Sequence, residues 1–174
     1  NYAKLKKNVQ EFNQSGTGAC LPTSDEYQAL MRKQYPWWDN PNAASMKSTL
    51  ERQPFNTMEK LLGASFWDRR YLFKTSLLDT PPNTDVMECL YKVSVEKGEP
   101  NLVNSVDKYD YSMLHEAVHV SRLDSIKALT EFAQKQGVTL NVNPKTGVGQ
   151  TPLDAAKEKG NQEVIKMLQS MGAQ

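Results

Sequence analysis

The sequence predicts an all-α chain: a short helical solenoid behind a helical amino-terminal cap. Three observations carry this. Apolar residues recur three and four apart in segment after segment, the period of one buried helical face. Ser, Thr and Asn precede these segments and Gly and Pro follow them, where helix caps and stops belong. The carboxy-terminal part repeats one helix–turn–helix pattern.

The elements follow in order. Tyr2, Leu5, Val9 and Phe12 form one helical stripe, with Lys4, Lys6 and Lys7 on the solvated side, and Ser15-Gly16-Thr17-Gly18 breaks it. Ser24 is expected to cap a second helix to about Gln34, with Asp25 and Glu26 favourably placed in its first turn. Tyr35-Pro36-Trp37-Trp38-Asp39-Asn40-Pro41 cannot continue a helix. Its adjacent tryptophans read as a core plug in preference to an exposed hot spot. Asn42 is expected to cap a short helix that reaches about Arg52 and ends before Pro54. Thr57 then opens what reads as the longest helix, Met58 to about Leu77. Trp67 and Tyr71 make it more apolar than one face requires, so packing on two sides is expected. Asp79-Thr80-Pro81-Pro82 ends it. Asp85 to Lys97 forms another helix, with Val86, Cys89, Leu90 and Val93 inward and Gly98 as its stop.

Composition narrows the function. The 174 residues carry 21 basic and 20 acidic side chains, which points away from nucleic acid or an anionic membrane surface as the partner. No apolar run approaches the roughly 18 residues of a membrane span, so a soluble chain without membrane insertion is expected. The numbering opens at Asn1 without Met, as in a trimmed or processed chain. A cytoplasmic location is the default, and export or a periplasmic location after signal-peptide removal stays open. Cys20 and Cys89 either form one disulfide in an oxidising compartment, or Cys89 is simply a small buried apolar residue of its helix. Asn13-Gln14-Ser15 matches a glycosylation acceptor, a motif too short to carry weight.

The repeat is clearest at the end of the chain. Thr151-Pro152-Leu153, Ala155-Ala156, Gly160, Glu163-Val164-Ile165, Met167-Leu168 and Gly172-Ala173 follow one another without a gap. Thr151 can cap, Pro152 at the first helical position costs no hydrogen bond, and Gly160 allows a tight turn between antiparallel helices. Upstream, Ser112-Met113-Leu114-His115-Glu116-Ala117-Val118 holds the same pattern, followed by Ser121, Leu123, Ile126 and Leu129. Both stretches resemble ankyrin repeats, with Asp154 in place of the family's usual His and Ser121 in place of a Gly. Leu114 and Leu153 stand farther apart than the family's repeat of about 33 residues, so a longer second helix and loop are expected around Phe132 to Val142. Val95-Glu96-Lys97-Gly98 and Val103-Asn104-Ser105-Val106-Asp107 look like the end of a more divergent repeat, lengthened by Glu99-Pro100.

The resemblance implies an ankyrin-type solenoid of two to three repeats over residues 79–174. These divide into a degenerate repeat at 79–106, a middle one at 107–143 and a carboxy-terminal one at 144–174. Residues 1–78 then form a cap of non-repeat or divergent-repeat helices, continuous with the repeats as one domain. Helices must close the open end, because a single repeat cannot bury its apolar face.

One stretch allows a second reading. His115, Glu116 and His119 spell H-E-x-x-H, which on a helix can hold zinc and supply a general base, as in metallopeptidases. These are the only two histidines, and Glu131, Glu158 and Glu163 are the carboxylates considered as a third ligand. The ankyrin resemblance absorbs His115 as a turn residue and His119 as an exposed position. On that reading there is no catalysis, metal or cofactor.

The resemblance further implies that a partner protein is bound by turn tips and the concave face of the first helices. The positions are Lys108, Tyr109, Tyr111, His119 and Val120 in the middle repeat, and Gly147, Val148, Gln150, Glu158 and Lys159 in the last. Tyr109 and Tyr111 weigh most, since tyrosine brings large contact area with a polar tip. Two narrower readings follow: inhibition of a partner enzyme, as in an immunity or self-protection protein, and a secreted effector that engages a host protein.

Overall fold

The computed structural model describes residues 1–13 and 19–174. The break expected at Ser15 to Gly18, and most of the Asn13-Gln14-Ser15 motif, lie outside the described residues. Ten α-helices and one 3-10 turn make up the regular structure among them, and no strand is present. The described chain is thus all-helical, in an ankyrin-like arrangement. No helix among these residues is long and apolar enough to cross a membrane. Two compact units, Asn1–Arg69 and Arg70–Gln174, divide within the fifth helix.

In the first unit, α1 (Tyr2–Asn13) buries Leu5, Val9 and Phe12, three of the four residues of the expected stripe. Thr23, and not Ser24, caps α2 (Ser24–Gln34). The Thr23 side chain accepts from Glu26 N–H at 3.2 Å while Glu26 accepts from Thr23 N–H at 3.1 Å, a reciprocal capping box. Ser24 bonds elsewhere, its N–H and hydroxyl both donating to Glu59 Oε2 at 2.6 Å. Trp38 is a plug, 1% exposed, with its indole N–H on Gln28 Oε1 at 2.8 Å and Tyr27 edge-on at 6.2 Å. Asn40 and not Asn42 is the cap that follows. It accepts from Asn42 N–H and starts the 3-10 turn Pro41–Ala43, which leads into α3 (Ala44–Glu51).

The long helix expected from Met58 to Leu77 is two helices, α4 (Met58–Gly63) and α5 (Phe66–Leu77). Ala64 turns extended, and Ser65 Oγ accepts from Asp68 N–H at 3.1 Å, so a fresh cap outcompetes continuation. Arg69, fully buried, donates to the Leu61 and Ala64 carbonyls and satisfies the end of α4. The apolar spacing runs on across this break, which is why it suggests one helix. Packing on two sides is also not found: Trp67 is 60% and Tyr71 58% exposed.

In the second unit, α6 (Thr84–Glu96) is capped by Asn83 and buries Val86, Met87, Cys89, Leu90, Val93 and Ser94. Next come α7 (Met113–His119) with α8 (Leu123–Gln136), and α9 (Pro152–Lys159) with α10 (Gln162–Ser170), each pair packed on itself. The pairs stack, α7 against α9 and α8 against α10. Phe132 of α8 meets both Phe73 of α5 and Tyr91 of α6 edge-on, each at 5.6 Å. The carboxy-terminal part of α5 therefore takes part in the same stack, and residues 70–78 belong to this unit. The turns follow the expected chemistry. Gly160 stands at φ 72°, and Ser121, in the equivalent turn, at φ 53°. As expected, α8 is the longest of these repeat helices, 14 residues, and a long loop follows it.

Asparagines tie one loop to the next. Asn104 donates to the Thr139 carbonyl and accepts from Asn141 N–H, both at 2.8 Å, and Asn143 accepts from Gln174 N–H at 2.9 Å. Neither cysteine is a free thiol: Cys20 and Cys89 are both disulfide-bonded, and Cys89 is also 1% exposed.

Two outcomes follow. Ser121 holds a left-handed conformation that costs a side chain roughly 1–2 kcal/mol, partly offset by the unfolded-state entropy a glycine adds. Ser121→Gly is expected to stabilise the fold by a net ~0.5–1 kcal/mol, read as a higher urea midpoint with an unchanged slope; a lower midpoint would contradict the strain. A thiol titration of the denatured, unreduced protein should find no reactive cysteine, and the thiols should appear only after reduction.

Candidate partner-binding surface

Two fingers project from the second unit, one before α7 and one before α9. In the first, Asp107 N–H donates to the Tyr111 carbonyl at 2.9 Å, and Asp107 Oδ1 accepts from Tyr109 and Tyr111 N–H at 2.8 and 3.0 Å. A single antiparallel bridge between Val106 and Ser112 closes its base, and Asp110 turns the tip at φ 64°. In the second finger, Thr146 N–H donates to the Gln150 carbonyl at 2.9 Å and Gly149 N–H to the Thr146 carbonyl at 2.8 Å. Gly147 N–H donates to the Tyr109 carbonyl at 3.0 Å, so the fingers are joined at their tips.

His115 supports both. It is 1% exposed; Nδ1 accepts from Ser112 N–H at 3.3 Å and lies 2.8 Å from Ser112 Oγ, while Nε2 donates to the Gln150 carbonyl at 2.9 Å. Burial holds the imidazole below its ordinary pKa, against the pull of the Gln150 carbonyl, Glu116 and Asp107. Ser112 accepts in return from His115 N–H at 3.1 Å, another capping box. Thr151 and Asp154 repeat it at the head of α9, with bonds of 3.0 and 3.1 Å. Asp154 thus does the capping work of His115, and its carboxylate is held below the usual range chiefly by the Thr151 N–H.

This geometry bears on the H-E-x-x-H motif. Zinc would need a lone pair from each imidazole. Both nitrogens of His115 are already engaged in the fold, while His119 sits exposed at the end of α7.

The residues expected at the surface divide into two kinds. Tyr109 is 61% exposed, with Lys108 Nζ 5.1 Å from its ring centre; Val148 is 91% and Val120 45% exposed. His119, Gly147, Glu158 and Lys159 are exposed as well. Tyr111 and Gln150 are half-buried and serve mainly as supports. The Tyr111 ring lies edge-on to His115 at 5.6 Å, and Gln150 Nε2 donates to Glu158 Oε2 at 2.7 Å. Sequence reasoning missed Tyr71, 58% exposed with Lys74 Nζ 4.8 Å from its ring centre. The surplus of aromatics on that helix is the available signal, and from the sequence it reads as packing. The first unit holds an open cleft of about 480 Å³ lined by Phe12, Tyr27, Leu30 and Met31, and none of the residues above lines it.

No family model matches the chain. Ankyrin repeat domain-containing protein SOWAHD of Mus musculus is 33% identical over 84 residues, covering 47% of this chain and 26% of that protein. The match suggests ankyrin repeats. The chain covers only about a quarter of this curated relative's length.

The His115 network gives a pH dependence with a definite sign. A folded-state pKa below the unfolded value of about 6.5 means that the unfolded chain binds more protons in the window beneath it. Stability from this residue is complete above about pH 6.5 and is lost as the pH falls. His115→Gln is expected to cost about 1–3 kcal/mol at pH 7.5 and to flatten the stability-against-pH curve between pH 5 and 7. An unaltered slope in the variant would remove His115 as its source.

Proposed function

We propose that the chain is a protein-interaction module that binds a partner protein through its two fingers and the exposed ends of α7 and α9. The surface comprises Lys108, Tyr109, Tyr111, His119, Val120, Val148, Gln150, Glu158 and Lys159. The observation that carries this reading is the exposure of Tyr109 and Val148, large apolar groups held in water by fingers braced by hydrogen bonds and joined through Gly147 N–H. Such a surface loses little entropy when a partner covers it, which is what favours recognition. The ankyrin-like helix pairs and the partial match to an ankyrin protein support the same reading. The occupied nitrogens of His115 weigh against the zinc-peptidase alternative.

The disulfide-bonded cysteines favour an oxidising compartment. That setting suits an exported form of the module, whether it inhibits a partner enzyme or engages a host protein.

The test starts with capture from the native source and continues with the purified partner. Tyr109→Ala and Val148→Asp are each expected to weaken binding at least tenfold, about 1.4 kcal/mol, with Tm unchanged. Val95→Ala, at an exposed position of α6 outside the surface, should leave affinity alone. Equal affinity for all three variants would sink the assignment.

A further inference from the structure

Arg70 is 5% exposed in α5, yet its guanidinium is spent on the first finger. Nε donates to Ser105 Oγ at 3.0 Å, and Nη2 donates to the Ser105 carbonyl at 3.1 Å and to the Tyr111 carbonyl at 3.0 Å. Those acceptors stand at the two ends of the finger: Ser105 precedes the Val106–Ser112 bridge, and Tyr111 leads into it. Within the finger, Asp107 takes up the Tyr109 and Tyr111 N–H groups, and the Tyr109 carbonyl receives Gly147 N–H. The chain of bonds therefore runs from α5 through both ends of the first finger to the tip of the second.

We propose that Arg70 is the positioning residue of the recognition surface: it clamps both ends of the finger that presents Tyr109 and need not touch the partner. The inference rests on the reading of the fingers as a binding surface. Planar geometry explains the choice of residue. One guanidinium reaches three acceptors in a fixed fork, whereas a lysine offers a single ammonium on a flexible stem. Buried unpaired, the charge would be costly; here carbonyl dipoles meet it, and Asp107 and Glu116 offset it at longer range. A charge held this way makes the finger's shape depend on a helix far away in sequence. Truncating Arg70 would take the guanidinium from the Ser105 carbonyl and leave the Tyr111 carbonyl with the Asp107 N–H alone, and the finger would open to find water.

Amide hydrogen exchange of the whole chain tests this without a known partner. In Arg70→Lys, the Tyr109 and Tyr111 amides should exchange roughly tenfold faster or more, while Leu129 in α8 and Leu168 in α10 keep their wild-type rates. Trypsin should cut after Lys108 faster in the same variant. Ser105→Ala removes one of the three bonds and should give a smaller rise at the same two amides. Unchanged exchange in the finger overturns the inference. A uniform rise in all helices also overturns it, because Arg70 would then be a general stability residue. Should the finger loosen as expected while Tyr109→Ala binds the purified partner normally, the positioning role stands and the surface assignment fails.

Discussion

Side chains of one element donate to backbone carbonyls of another throughout the second unit, and these bonds tie its helix pairs together. Arg122, in the turn between α7 and α8, donates to the Leu78 carbonyl at 3.0 Å and the Asp79 carbonyl at 2.9 Å, and Ser125 Oγ donates to the Leu77 carbonyl at 2.8 Å. Arg70 serves Ser105 and Tyr111, and His115 serves Gln150. A buried carbonyl left with no donor costs about 1–3 kcal/mol, so these bonds favour one register of the pairs over others. Apolar packing around Phe132 drives the pairs together, but it has no direction. The polar bonds give it one.

The same demand explains the use of His115. His115 has the neighbours of a metallopeptidase motif in the letters, but a solenoid needs a donor for the next loop and an acceptor for its own cap. An imidazole offers both on opposite sides of one ring. Asp154, in the equivalent place, can only accept, and it performs the capping half alone. Capping and bridging are therefore separable duties, and only His115 carries both.

Much of this was legible in the sequence. Period three-to-four spacing located the helices, and the Thr151-Pro152-Leu153 and Ser112-Met113-Leu114 stretches located two of the pairs. Ser121 was readable as standing in place of a glycine, and the structure adds that it takes the left-handed conformation. What escaped has a common cause. Thr23 against Ser24, Asn40 against Asn42, and the new start at Ser65 are contests among neighbouring polar residues, and apolar spacing is blind to them. Ser24 lost the cap because Glu59, distant in sequence, claimed its hydroxyl. Arg70 was hidden for a similar reason: an arginine in such a helix reads as a solvated residue until the carbonyls facing it are known. Tyr109 and Val148 could be placed at turn tips from the repeat pattern alone; the supporting roles of Tyr111 and Gln150 could not.

The tip of the second finger is three residues, Gly147, Val148 and Gly149, and Gly147 N–H ties it to the first finger. Gly149 stands at φ 82°, and a Cβ at Gly147 would meet nothing closer than 3.7 Å. Val148 itself contributes nothing to the stack beneath it. The position is thus a replaceable cassette. On the proposed reading of the fingers as a binding surface, specificity can drift there or be rewritten by grafting a longer loop.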